Sequence, residues 1–163
     1  MKRATRHCDD FCLCVMVGKK GEVVAENPEE RNTLFQYNLY GGGRAGVMFE
    51  EGYIESEEGV LMDVRQHVDK KIIFEATKDF FTIGFNTFDR GQNWEGRLVE
   101  KNETTLDLDL IRQLNKSTFL ICFDGKPIVN DKEMRRYDYA KINLSKNYSI
   151  QLNGGVLGLF YKN

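Results

Sequence analysis

Along most of the chain, apolar residues alternate with polar ones or gather in blocks of four to seven, and turn-forming residues separate the blocks. The pattern is clearest from Ser117 to Asn163. There Phe119 to Phe123, Lys141 to Leu144, Tyr148 to Leu152 and Val156 to Tyr161 read as strands. Asp124-Gly125-Lys126-Pro127, Asn130-Asp131-Lys132 and Asn153-Gly154-Gly155 supply the turns, through glycine's access to positive φ and through Asx side chains that bond their own backbone. Short strands at this spacing predict a β-sandwich or small barrel.

The N-terminal half continues the pattern. Phe11 to Val17 predicts a strand buried on both faces, followed by Gly18-Lys19-Lys20-Gly21 and a second strand over Glu22 to Ala25. Asn27-Pro28-Glu29-Glu30 has the cap, first-turn proline and early acids of a helix start. Phe35, Tyr37 and Leu39 alternate soon after, which limits that helix to one turn. Gly41-Gly42-Gly43-Arg44-Ala45-Gly46 fits Gly-x-Gly-x-x-Gly, but no helix long enough to hold a phosphate follows it, and it reads as a hairpin turn. Val60, Met62, Val64 and Val68 share one face of an alternating run, with Asp63, Arg65 and His67 on the other. Ile72 to Phe74 and Phe80 to Phe85 are further strands, and Asp89 to Asn93 is a polar loop before Trp94. Thr104 to Leu114 fits both a half-buried strand and one helical face; its β surroundings favour the strand.

Composition narrows the class. The 163 residues are 41% hydrophobic and 29% charged, with two prolines, which is globular. This length suits one domain, with residues 1–90 as a β region that extends or completes a barrel centred on 94–163. The formal charge of −2 and the scattered basic pairs (Lys19-Lys20, Lys70-Lys71, Arg135-Arg136) argue against a nucleic-acid partner. The longest apolar run is far below the roughly 20 residues that span a bilayer, so no membrane partner is expected and a cytoplasmic location is. The glutamates at 50, 51, 55, 57 and 58 lack the alternating order of a calcium loop and read as a solvated edge hairpin.

Three cysteines crowd near the N-terminus beside His7. Cys12 and Cys14 stand at period two inside FCLCVMV, a strand spacing rather than a zinc turn, so structural thiols are expected and not a metal site.

From Trp94 onward the layout resembles the cupin superfamily, a jelly-roll or double-stranded β-helix barrel. Thr118 to Gly125 resembles the cupin strand that ends in a glycine turn, and Lys126 to Met134 the short hairpin after it. Tyr137 to Ile142 falls at the Gly-Asp step and strand, Asn143 to Tyr148 at the second motif, and Val156 to Tyr161 at the closing strand. The resemblance implies an all-β jelly roll with an N-terminal β extension. A metal-binding cupin carries three histidines and a glutamate, whereas this chain has only His7 and His67, with Tyr148 where the third ligand would be. A metal-free protein without cofactor is therefore expected.

The role the sequence supports is non-catalytic: binding a small ligand in the barrel mouth, or serving as an assembly module. Trp94, Arg97, Tyr137, Tyr139, Tyr148 and His67 are the candidate ligand-lining residues. One alternative is a metal-independent sugar isomerase, epimerase or lyase using His67 and Tyr148; another is a structural jelly-roll protein of a virion or surface. A homodimer is expected, joined near Phe11 to Val17 as an apolar sheet edge. Phe119, Ile121 and Phe123 are expected to meet Ile150, Leu152, Leu157 and Leu159, and Tyr148→Ala to leave the fold standing.

Overall fold

A computed structural model describes residues 1–27, 32–65, 70–88, 93–100, 102, 117–143 and 145–162. The helix start at 28–30, the loop at 89–92, His67 with the end of its alternating run, and the strand expected over 104–114 lie outside the described residues. The chain forms two compact units, Met1–Gln92 and Asn93–Asn163. No helix among the described residues is long and apolar enough to cross a membrane.

The N-terminal unit holds β1 (Lys2–His7), β2 (Cys12–Gly18), β3 (Val23–Glu26), β4 (Thr33–Tyr40), β5 (Gly43–Val47), β6 (Ile54–Glu55), β7 (Leu61–Asp63), β8 (Ile72–Ala76) and β9 (Phe80–Asn86). A five-stranded sheet runs β1-β2-β9-β4-β7, and a four-stranded sheet runs β3-β8-β5-β6. Every pairing in both is antiparallel.

β1 carries no apolar alternation, because all six of its residues are exposed. It is held by the ladder to β2, from Lys2 against Val17 to His7 against Cys12, and the Cys8 amide closes the turn by donating to the Phe11 carbonyl at 3.0 Å. The N-terminal amine pairs with Glu22, and Arg3 with Glu26. β2 therefore lies between β1 and β9. The expectation that Phe11 to Val17 is a sheet edge fails, since hydrogen-bonded neighbours flank it on both sides.

The glycines at 41 and 42 form a corner rather than a hairpin turn, because β4 and β5 belong to different sheets. Gly41 has φ +68°, and a Cβ there would lie 1.7 Å from the Asp79 carbonyl oxygen. The Gly42 carbonyl accepts from the Thr77 and Lys78 amides, each at 3.2 Å. The close approach of backbone to backbone is what demands glycine.

The C-terminal unit holds β10 (Trp94–Leu98), β11 (Thr118–Asp124), β12 (Ile128–Val129), β13 (Lys132–Glu133), β14 (Tyr139–Lys141), β15 (Ile150–Gln151) and β16 (Val156–Lys162). Its sheets run β10-β16-β11-β14 and β13-β12-β15. Asn130 and Asp131 turn β12 into β13 with φ of 47° and 64°, the mirror-image turn that matches strand twist.

The register of β11 against β16 sets Leu120 opposite Leu159 and Cys122 opposite Leu157. These four pack with Val129, Met134, Ile142, Tyr148 and Ile150 into one buried cluster. Phe119, Ile121 and Phe123 are equally buried but lie on the other face of the pleat, with Phe123 edge-on to Phe160 at 6.0 Å. The expected partnership of Phe119, Ile121 and Phe123 with Leu157 and Leu159 is thus replaced by one with Leu120 and Cys122. A strand apolar on both faces gives no signal for which face meets which neighbour.

Candidate functional site

The described cavities lie in the N-terminal unit. On the five-stranded sheet, Cys14 is paired with Gly84 and Met16 with Thr82, while Gln36 and Asn38 face the same Gly84 and Thr82 from β4. These residues, with Asn86, form one face of the sheet. The opposite face carries Leu13, Phe35, Tyr37, Ile83 and Phe85, all buried. On the four-stranded sheet, Val24 and Ala45 both pair with Phe74, and Val47 pairs with Ile72, so these residues share a face.

The two faces enclose adjoining cavities of about 170 Å³ and about 590 Å³, which share Gln36, Ala45, Val64, Ile72 and Phe74 as lining. One wall, from the five-stranded sheet, carries amides and hydroxyls; the other, from the four-stranded sheet, is apolar. Such a pairing fits an amphipathic small molecule.

The polar wall is organised. The Gln36 amide donates to Asn38 Oδ1 at 3.1 Å, and Asn38 Nδ2 donates to Ser56 Oγ at 2.9 Å and to the Glu57 carbonyl at 3.1 Å. Thr33 Oγ1 donates to Asn86 Oδ1 at 3.0 Å, and Asn86 Nδ2 to Asn32 Oδ1 at 2.8 Å. Asn38 is fully buried, so satisfying its amide is a condition of folding. At the β1 and β3 edges the sheets are bridged by the Arg3–Glu26 pair. At the other end the larger cavity is bordered by both edge strands, β6 through Ile54 and β7 through Leu61, Met62 and Asp63.

Charge gathers there. Glu50, Glu51 and Asp63 line the larger cavity. Arg65 holds Asp63 through its Nε at 2.9 Å and a second guanidinium nitrogen at 2.5 Å, and these bonds keep the Asp63 carboxyl below the usual carboxylate range. The same guanidinium lies 4.9 Å over the Phe35 ring. Lys70 reaches Glu50 at 2.8 Å.

The residues singled out from sequence lie elsewhere. His67 is outside the described residues. Trp94 is 1% exposed, with its ring 6.1 Å from Phe119, and Tyr139 meets the same Phe119 ring edge-on at 6.2 Å. Arg97 is exposed on β10. Tyr137 is half-buried with φ 73°, its phenol pushed up by burial, and its amide donates to the Cys122 carbonyl at 2.8 Å. Tyr148 packs in the Leu120 cluster, on the opposite face of β11 from Trp94 and Tyr139, and its hydroxyl accepts from the Asn143 amide at 2.8 Å. The structure brings Trp94 and Tyr139 together around Phe119 and sets Tyr148 apart from them. Tyr148 is a core residue, so its truncation is not neutral.

The thiols take ordinary structural places. Burial pushes the Cys8 and Cys12 thiols up, and His7 stacks on Phe88 at 5.8 Å. Cys122 is fully buried and is pushed up to about 12, chiefly by that burial.

No family model and no curated protein sequence matches the chain. Among solved structures it is similar to the protein YhaK from Escherichia coli, at a TM-score of 0.61 and 10% identity, over 99% of this chain and 93% of that one. It is also similar to HutD from Pseudomonas fluorescens SBW25, at a TM-score of 0.52 and 11% identity, over 92% of this chain and 76% of that one. A cupin 2 conserved barrel domain protein from Leptotrichia buccalis aligns over 98% of this chain and 88% of that one at 10% identity, with a TM-score of 0.46 that carries no argument. At such identities the likeness to YhaK and HutD concerns fold alone, and the chain has an all-β fold of antiparallel sheets similar to theirs.

Proposed function

We propose that the protein binds a small molecule in the space between the two sheets of its N-terminal unit, and that it binds without catalysis. The observation that carries this is the cavity of about 590 Å³, within the roughly 300–1,000 Å³ range of small-molecule sites, lined mainly by apolar side chains such as Ala45, Leu61, Ile72 and Phe74 with Gln36 and Ser56 as hydrogen-bonding groups. Gln36 and Ser56, which line it, donate and accept hydrogen bonds but neither take up nor release a proton near neutrality, and its carboxylates, Glu50, Glu51 and Asp63, lie exposed at the rim, with Glu50 paired to Lys70 and Asp63 to Arg65. That chemistry orients a ligand and does not transform it. The reading places the ligand at Gln36, Ala45, Ile72 and Phe74 instead of at Trp94, Tyr137, Tyr139 and Tyr148.

The test is a titration of the full chain with tryptophol, a neutral indole alcohol, followed by amide NMR. Shifts concentrated at Gln36, Ala45, Met62, Ile72 and Phe74 are expected. Shifts concentrated around Tyr137 to Tyr148, or none at saturating probe, would contradict the reading.

A further inference from the structure

We infer that the ligand of this cavity carries a neutral head, a hydroxyl or a carboxamide, held between Thr82 and Gln36. Its apolar body lies in the larger space, so the inference rests on the binding site proposed above. Thr82 stands in the middle of the five-stranded sheet, opposite Met16 on β2 and Asn38 on β4, and lines the smaller cavity. It is 2% exposed, and its hydroxyl has no hydrogen-bond partner among the described residues. Buried hydroxyls are as a rule hydrogen-bonded, whereas this one faces the cavity.

The second anchor is oriented by a relay. The Glu57 carbonyl can only accept, so Asn38 turns its Nδ2 toward it, at 3.1 Å, and its Oδ1 the other way. That oxygen accepts from Gln36 Nε2 at 3.1 Å, which leaves Gln36 Oε1 without a donor among the described residues. Asn38 is fully buried, so the arrangement is locked. Gln36 borders both cavities and stands diagonal to Thr82 across the β4–β9 ladder, a backbone separation of roughly 7–8 Å. One small group between them can reach both.

The chemistry of that group follows from what it meets. Gln36 Oε1 requires a donor, while the Thr82 hydroxyl serves as donor or acceptor. Of the other polar residues lining the smaller cavity, Asn32, Thr33 and Asn86 bond one another, and Arg3 pairs with Glu26. An ionic head at Thr82 would exchange water for neutral partners, which costs far more than moving a hydroxyl or an amide there. The apolar body then packs on Ala45, Ile72 and Phe74, which line both spaces.

The test titrates five indoles into the full chain by calorimetry and amide NMR. Tryptophol and indole-3-acetamide carry neutral heads, 3-ethylindole has none, tryptamine is a cation and indole-3-acetate an anion. Tryptophol and indole-3-acetamide are expected to bind about tenfold tighter than 3-ethylindole, and both ions more weakly than tryptophol. Thr82→Val keeps the branched shape and deletes the hydroxyl. Because that hydroxyl bonds nothing in the free protein, the variant should unfold at the wild-type urea midpoint or above it. It should nevertheless lose about fivefold in tryptophol affinity, and none for 3-ethylindole. A lowered midpoint, undiminished tryptophol binding in Thr82→Val, or an ion or 3-ethylindole binding as tightly as tryptophol would overturn the inference. Shifts at Ile72 and Phe74 would in those cases leave the cavity reading intact. Failure of all five to shift the cavity amides would instead overturn the cavity reading on which the inference rests.

Discussion

In the C-terminal unit, Leu120, Cys122, Leu157 and Leu159 project from one sheet to meet Val129 and Ile150 of the other, and side chains fill the space between. In the N-terminal unit the facing positions are Cys14, Met16, Gln36, Thr82 and Asn86 on one side and Val24, Ala45, Ile72 and Phe74 on the other, and the space between is hollow. Both units pair two antiparallel sheets. The difference lies in which face of the pleat is apolar. In the five-stranded sheet the buried aromatic and aliphatic residues Leu13, Phe35, Ile83 and Phe85 occupy the face away from the cavity, which frees the inter-sheet face to be polar. A single alternation of residue type thus decides whether a sheet pair becomes core or container.

The contrast can be broken first by truncation. Phe123→Ala, at a residue 1% exposed between strands, is expected to cost about 3–5 kcal/mol and to lower the urea midpoint drastically. Leu120→Ala, in the filled cluster, should cost about 2–5 kcal/mol. Met16→Ala, on a half-buried side chain that already borders a cavity, should cost only about 1 kcal/mol, because part of the contact is absent to begin with. Equal costs for Leu120→Ala and Met16→Ala in urea unfolding would erase the distinction between the units.

Tyr148→Phe should cost at most about 1 kcal/mol, through the lost bond from the Asn143 amide, while leaving ligand binding unchanged. A loss of tryptophol binding in that variant would return the site to the residues first read from sequence.

The smallest effect concerns acid. Hydrogen bonds from Arg65 keep the folded Asp63 carboxyl below its ordinary value, so its contribution is present above the unfolded range, about 3.9, and is lost as pH falls toward the folded value. Unfolding free energies measured down through that range should therefore decline less steeply in Asp63→Asn than in the wild type.

Much of the fold was legible in the chain. The turns at Asp124-Gly125, Asn130-Asp131 and Asn153-Gly154 mark strand ends that the structure also has, because turn chemistry acts locally. β1 was illegible: its Lys, Arg, Ala, Thr and His side chains are all exposed, and its strand state comes from pairing alone. The facing of Phe119 was illegible because β11 is buried on both sides. The cavity wall was missed for a related reason. Gln36, Asn38 and Thr82 alternate with apolar residues, and alternation in a single sequence does not say whether the polar face meets solvent or a cavity. The one sign was Asn38 beside Gln36, amides in an otherwise aromatic strand, whose burial only the structure reveals.

The most direct measurement of the hollow against the filled unit is native-state thiol labelling with iodoacetamide, read by peptide mass spectrometry. Cys14 lines the smaller N-terminal cavity, whereas Cys122 sits in the filled C-terminal cluster with its thiol pushed up to about 12. Cys14 should react in the folded protein, while Cys122 should react only on unfolding. Labelling of Cys14 as slow as that of Cys122 would contradict the account.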